Sequence, residues 1–387
     1  MPILNRVAEM QDEIAGWRRH LHTIPEILYE VHKTSAFVAE RLREFGCDEV
    51  VTGIGRTGVV GIIRGNLGPG DTVGLRADMD ALPLKEVTGK PWTSTHENAM
   101  HACGHDGHTA MLLGAAKYLA ETRNFKGAVA VIFQPAEEGG AGGKAMVDDG
   151  MMEKFGIRKV FGMHNMPGLP VGQFATRPGP IMAATAEFTI TVKGKGGHAA
   201  QPHRTVDPIV TASAMISALQ TIRSRNVDPI EQLVVSVTKI HAGDAYNIIP
   251  EELEFAGTIR TLKKEVAEQA YERMRAVCEG VAAAHGASVK VDIDVNYPVT
   301  FNHEAETDFA VSIARSVAGE PNVNGSVSPV MGGEDFSYML EARPGAFIFL
   351  GNGDTAGLHN PEYDFNDEAI PHGVSYWVKL AETELAA

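Results

Sequence analysis

Cys103 and His105 stand either side of Gly104 in the segment HACGHDGHTA, with His101 and His108 flanking them and an alanine-rich helical pattern following at once. A thiolate and an imidazole are side chains that hold borderline divalent cations. The pair alone says little, because a buried cysteine is often inert packing. Other groups give it company. Asp78-Met79-Asp80 follows the apolar run TVGLRA, Glu137-Glu138 follows AVAVIFQP, His164 follows KVFGM, and His359 lies in the loop after AFIFLG. Adjacent glutamates usually form a solvated surface, but after so apolar a run they are costly to bury without cations. One thiolate, three imidazoles and several carboxylates suffice to hold two divalent ions with one bridging ligand. The bland readings (core cysteine, surface acids, satisfied core histidine, loop histidine) would have to hold independently at each place.

The elements around these residues explain how they could meet. RVAEMQDEIAGWRRHLH and VHKTSAFVAERLREFG have helical spacing, with Gly46 as a stop signal. TGVVGIIRG, DTVGLRAD, GAVAVIFQ and RKVFGMH are short apolar runs bounded by glycine, the pattern of strands buried on both faces in a parallel sheet. The alternation returns in GSVSPVMGG, GAFIFLG and a final helix from about Glu368 to Glu384. In open α/β sheets, ligands gather beyond the carboxyl ends of the strands, which is where the acids and imidazoles fall. The middle of the chain reads β-α-β-β-α-β, a ferredoxin-like unit complete in itself. Its members are AEFTITVKG, DPIVTASAMISALQTIR, EQLVVSVTKIHA, EELEFAGTIRT, KKEVAEQAYERMRAVCEGVAAAHG and ASVKVDIDVN. The expected fold class is therefore α/β: a mostly parallel-sheet domain over 1–184 plus 298–387, with a ferredoxin-like domain inserted at 185–297.

Composition narrows the function classes. The chain has 387 residues, 44% of them hydrophobic, enough for more than one domain. Its 34 basic and 49 acidic residues leave a formal charge of −15, which disfavours nucleic acid or an anionic membrane as partner. No long uncharged apolar run appears, and the longest candidates, such as Ala110–Leu119 with Lys117 inside it, are too short to span a bilayer. The first residues lack the apolar stretch of a secretory signal. Cys47, Cys103 and Cys278 are an odd, scattered set rather than a disulfide framework, and a cytoplasmic location is expected.

RADMDALP, HACGHDGHTA, QPAEEGGAGG, GMHNMPGLPVG, GKGGHAAQPH, GGEDF and LHNPEYDFND, in this order and over nearly the whole chain, resemble the M20 metallopeptidase family. The branch they resemble holds the amidohydrolases: hippurate hydrolase, N-acyl-amino-acid aminoacylases and plant auxin-conjugate hydrolases. The resemblance implies a zinc-exopeptidase-like catalytic domain with an inserted dimerisation or lid domain. It implies Cys103, His105, Glu138, His164 and His359 as ligands of two divalent ions (Zn, Mn, Co or Ni), with Cys103 bridging, and Glu137 as general base. Many relatives place His-x-Asp where this chain has Asp78-Met79-Asp80, and an aspartate where Cys103 stands. That departure fits the cysteine-containing branch, removes Asp78 from the ligands and leaves Asp80 to orient one of them.

By the same resemblance His198 polarises the substrate carbonyl, in its own subunit or the neighbour's. Asn247 and Arg260 hold the substrate carboxylate, a task that suits the planar fork of arginine. His101 and His108 become supporting residues, while His20, His22, His96, His203, His241, His285, His303 and His372 read as exposed or capping. The implied activity is hydrolysis of the amide of a small N-acyl amino acid by a homodimer or homotetramer joined through the inserted domain. Three alternatives stand beside it. One is a dipeptidase or carboxypeptidase with the same site, another a hydrolase using Cys103 as nucleophile with His105 as base, and the third a non-catalytic binding protein.

Overall fold

The computed structural model of the protein describes residues 3–386. The chain forms two compact units. The first takes the chain up to Ile181, Thr300–Ser328, and the stretch from Asp335 onward; the second takes Met182–Val299 and Pro329–Glu334.

The first unit is built on an eight-stranded sheet. Its spatial order is Glu49–Ile54, Gly58–Arg64, Ala128–Gln134, Thr72–Asp78, Ile157–Pro167, Gly345–Gly353, Phe174–Ala175, Val323–Asn324. The middle of the sheet is parallel: Thr72–Asp78 runs with Ala128–Gln134 on one side and Ile157–Pro167 on the other, and Gly345–Gly353 continues the series. These strands are buried almost end to end, which is why they read as unbroken apolar runs. Their carboxyl ends share one edge of the sheet, and the side chains at issue stand there. The helix His105–Thr122 is buried on nearly every face, between the sheet and the helices Gln11–Thr23 and Ile370–Glu384. Gly114 permits that closeness: a Cβ there would lie 2.6 Å from Cδ1 of Ile14.

Three expectations need correction. TGVVGIIRG forms a strand, but an antiparallel one, paired with Glu49–Ile54 and with Ala128–Gln134. A strand buried on both faces is equally apolar whichever way its neighbours run, so composition could not separate the cases. GSVSPVMGG makes no strand of its own; the short Val323–Asn324 precedes it. Pro329 and the glycines around it suit an irregular path. Residues 329–334 join the second unit, where Met182 bridges to Val330 and Ala183 N–H donates to Gly332 O at 2.8 Å. The N-terminal helix is also two, Asn5–Glu9 and Gln11–Thr23, divided at buried Met10.

The second unit carries a four-stranded antiparallel sheet in the order Leu233–Ala242, Glu252–Thr261, Ala184–Lys193, Ser288–Tyr297. Taken in chain order the strands sit 2-3-1-4, the ferredoxin-like arrangement that β-α-β-β-α-β demands. The helices Pro208–Thr221 and Lys264–His285 bury Met215, Leu219, Met274 and Cys278 in the same cluster as Phe188 and Phe255 of the sheet. Asp207 caps the first helix by accepting from the N–H groups of Ile209 and Val210, and Gly286, with φ +73°, ends the second. Among the described residues no helix is long and apolar enough to cross a membrane.

Candidate metal centre

The helix that opens at His105 is fixed from its first residue. Gly104 precedes it with φ +89°, and a Cβ there would lie 2.3 Å from Nδ2 of Asn165 and 2.4 Å from the hydroxyl of Tyr363. Only glycine fits both the angle and the space. His105 donates from Nδ1 to the backbone carbonyl of Asp80 at 2.9 Å, so its Nε2 faces the strand ends. That Nε2 is buried without a hydrogen-bond partner, 3.6 Å from Asp78 Oδ2 and 3.9 Å from Glu138 Oε1. His164 is oriented the same way. Its Nδ1 donates to Asn165 O at 2.6 Å, and its Nε2 lies 3.3 Å from Cys103 Sγ.

Glu137 and Glu138 occupy a turn with left-handed residues on either side, Ala136 at φ +55° and Ala141 at φ +53°. Such angles are unfavourable for alanine and persist where surrounding bonds dictate them. Here Asp80 supplies two of those bonds, its carboxylate accepting the backbone N–H of Glu137 at 2.9 Å and of Glu138 at 3.1 Å. Tyr29 adds a third by donating its hydroxyl to Gly140 O at 2.6 Å. His359 is left-handed as well, at φ +60°, with its N–H donated to Ala102 O at 2.8 Å and its Nε2 3.3 Å from Glu138 Oε1.

The outcome is a set of interlocking donor triads. Sγ of Cys103 lies within 4.8 Å of ligand atoms of His105 and His164, and it meets the same limit with Glu138 and His359. Cys103 belongs to both groups. A third group joins His105, Glu137 and Glu138. Asp78, His105 and His108 also cluster, but His108 is already committed. It donates Nδ1 to Asp78 at 2.6 Å and accepts at Nε2 from the backbone N–H of Asn165 at 2.9 Å. No lone pair remains on that ring for a cation.

Electrostatics agrees with a cation site. Burial opposes a charge on His105, yet Asp78, Asp80 and Glu138 overcome it and push its pKa up to about 10. The same carboxylates that hold a proton there would hold a metal ion. Burial, then the charges of Glu138, Glu137 and Asp78, drives the Cys103 thiol well above its ordinary range. An activated cysteine nucleophile needs the opposite environment. Buried and unpartnered Nε2 of His105, an aimed Nε2 of His164 and a shared sulfur therefore fit a divalent-metal site.

Several supporting residues escaped the sequence reading. Buried Arg76 donates to Asp78 at 2.9 Å, to Gln134 at 2.8 Å and to Asp335 at 3.0 Å. Asn165 donates to Cys103 O at 2.6 Å and accepts from the Tyr363 hydroxyl at 2.8 Å. Asn165, Asp335 and Tyr363 lie within GMHNMPGLPVG, GGEDF and LHNPEYDFND, so motif membership was the available signal. His22, expected to be exposed or capping, is instead fully buried and pairs its Nδ1 with Asp106 at 2.8 Å.

In the second unit, His198 lies in the short strand Gly197–His198, paired with Ile248–Ile249. Its Nδ1 accepts the N–H of Ala200 at 3.1 Å, which leaves the ring proton on exposed Nε2. Asn247 stands beside it, its carbonyl accepting the N–H of Ala199 at 3.0 Å. Arg260 is half-buried on Glu252–Thr261, with Nε donated to Thr258 at 3.1 Å.

The sequence pattern of Peptidase family M20/M25/M40 matches residues 74–383. The chain belongs to this family. It is 44% identical over 382 residues to a hippurate hydrolase of Campylobacter jejuni, covering 98% of this chain and 99% of that one. It is 45% identical over 353 residues to thermostable carboxypeptidase 2 of Saccharolobus solfataricus, covering 90% of this chain and 88% of that one. Among solved structures it resembles the YXEP protein of Bacillus subtilis, described as a dinuclear metal-binding peptidase of the M20 family. That match has a TM-score of 0.85 at 35% identity and covers 98% of this chain and 99% of the other. An M20 chain with this donor cluster has the means to bind divalent metal ions.

Proposed function

We propose that the protein hydrolyses the amide bond of a small N-acyl amino acid, releasing a carboxylic acid and a free amino acid. The observation that carries this reading is the sharing of Cys103 by two donor triads, with Glu137 alongside. Cys103, His105, Glu138, His164 and His359 would hold two ions, of Zn, Mn, Co or Ni, with Cys103 serving both donor sets. Bound there, the ions supply Lewis acidity toward the amide oxygen and lower the pKa of water.

This chain's own groups do the rest. Glu137, buried beside the ligands, takes the proton of the attacking water and delivers it to the leaving nitrogen. Asp80 holds Glu137, Glu138 and His105 in place through the bonds described above. His198 presents Nε2–H to the developing oxyanion, in its own subunit or across to a neighbour's. Arg260 and Asn247 grip the free carboxylate of the substrate. The first unit serves as the catalytic domain, and the second joins subunits into a homodimer or homotetramer in the cytoplasm.

The hippurate hydrolase relative supports an acyl amino acid, and the carboxypeptidase relative keeps a peptide substrate as the second reading. A panel of benzoylglycine, N-acetyl amino acids and plain dipeptides, run with metal analysis on the same preparation, decides between them. Turnover of the acylated compounds with metal present is expected. Faster cleavage of dipeptides would move the protein to the peptidases, and activity that survives chelation would overturn the metal reading.

A further inference from the structure

A second buried charge cluster adjoins the ligand-bearing segments, and its members have no part in the reaction proposed above. Arg18, on the helix Gln11–Thr23, has a side chain with no solvent exposure. Its Nε donates to Asp367 Oδ1 at 2.7 Å and its Nη1 to Asp364 Oδ1 at 3.0 Å. The same Nη1 lies 3.7 Å from Asp106 Oδ2. Trp92 lies against the guanidinium, its ring centre 5.1 Å away, and donates its indole N–H to Asp364 at 3.2 Å. Asp106 is the residue after His105, and Asp364 and Asp367 close the segment that carries His359. One guanidinium thus joins two pieces of chain that deliver imidazoles to the centre.

His359 needs such a hold. Its backbone is left-handed, at φ +60°, and none of residues 353–362 is buried. A segment with so little packing of its own takes its course from its anchors: the N–H of His359 on Ala102 O, that of Val87 on Pro361 O, buried Tyr363 and, just beyond it, Asp364 and Asp367 on Arg18. His105 is less dependent on Arg18, because Asp106 is also held by His22 at 2.8 Å.

We infer that Arg18 is a positioning residue for His359, acting through Asp364 and Asp367. Cutting this link frees the cation held by Cys103, Glu138 and His359 and spares the one on the Cys103, His105 and His164 side. This rests on the metal reading above.

The test loads the full-length protein with Co²⁺, counts ions per chain after gel filtration, follows their release into a chelator, and records the cobalt–thiolate absorption of Cys103. Arg18→Lys keeps the charge but not the two-pronged grip, and Asp364→Asn and Asp367→Asn weaken the link from the other end by removing the carboxylate charge. Each variant is expected to lose one of two ions at least tenfold faster than wild type while keeping the thiolate band. Leu42→Ala, a core change on the helix His32–Glu44, is expected to keep both ions at the wild-type rate. If Arg18→Lys does not fold, the two asparagine variants carry the test. Wild-type release from all three link variants, or equal loss from Leu42→Ala, would overturn the inference. A wild-type chain that binds no Co²⁺ would instead bring down the metal reading, and this inference with it.

Discussion

His105 donates its Nδ1 proton to the backbone carbonyl of Asp80 across 2.9 Å, while the carboxylate of the same aspartate holds the N–H groups of Glu137 and Glu138. One residue therefore aims an imidazole and ties down both acids. Asp80→Ala leaves two N–H groups without their acceptor and removes the brace of a turn already strained at Ala136. The variant is expected to lose about 1–3 kcal/mol of stability and roughly 10- to 100-fold in metal affinity. Competition with a chelator of known affinity, beside a thermal melt, measures both; an unchanged metal affinity would show that the brace is irrelevant to the site.

The two glutamates should part company when each is removed. Glu138 reaches His359 at 3.3 Å and shares a donor triad with Cys103, whereas Glu137 is assigned to proton transfer. Glu137→Ala is expected to lower turnover by about 10²- to 10⁴-fold with metal content near the wild-type level. Glu138→Ala should lose metal as well as activity. Elemental analysis of both variants checks this, and metal loss in Glu137→Ala would show that the roles are exchanged.

The bridging role proposed for Cys103 makes a numerical contrast. A sulfur that serves both triads is needed by both ions, so Cys103→Ala should retain neither, while His359→Ala should retain one. Alkylation gives an independent reading: iodoacetamide should label the metal-free protein slowly, because burial and the neighbouring acids keep the thiol protonated. Labelling of Cys103 in the loaded enzyme as fast as that of a free thiol would contradict the bridge.

Much of this site was legible because a strand buried on both faces writes itself as an unbroken apolar run. Whatever polar group ends or follows such a run stands at the carboxyl edge of the sheet, and this places Asp78 and Glu137 without any knowledge of long-range contacts, whereas His164 lies inside its strand, Ile157–Pro167, three residues before the end. The inserted unit was legible for a different reason, since its amphipathic elements change period from strand to helix in ferredoxin-like order. Arg18 and His22 were not legible. In WRRHLH nothing singles out Arg18, and His22 reads as exposed or capping; only the folded chain brings Asp106, Asp364 and Asp367 to them. Strand direction at Gly58–Arg64 was hidden too, because burial sets composition whatever the pairing.

The buried pair of His22 and Asp106 gives the protein a pH dependence of known sign. Burial alone would strip His22 of its proton, but the charge of Asp106, their hydrogen bond and Glu86 outweigh it, and the pKa rises to about 9 from an ordinary 6.5. A raised folded pKa means that the folded state holds the proton more tightly than the unfolded chain. The stabilisation is therefore complete below about pH 6.5 and fades as the pH climbs through about 9. Its full size is on the order of 3 kcal/mol. The wild-type melting temperature should fall between pH 6.5 and 9.5, and His22→Gln should be less stable near pH 6 and lack this part of the slope. Parallel melting curves for the two proteins across that range would disprove the pairing of a charged His22 with Asp106.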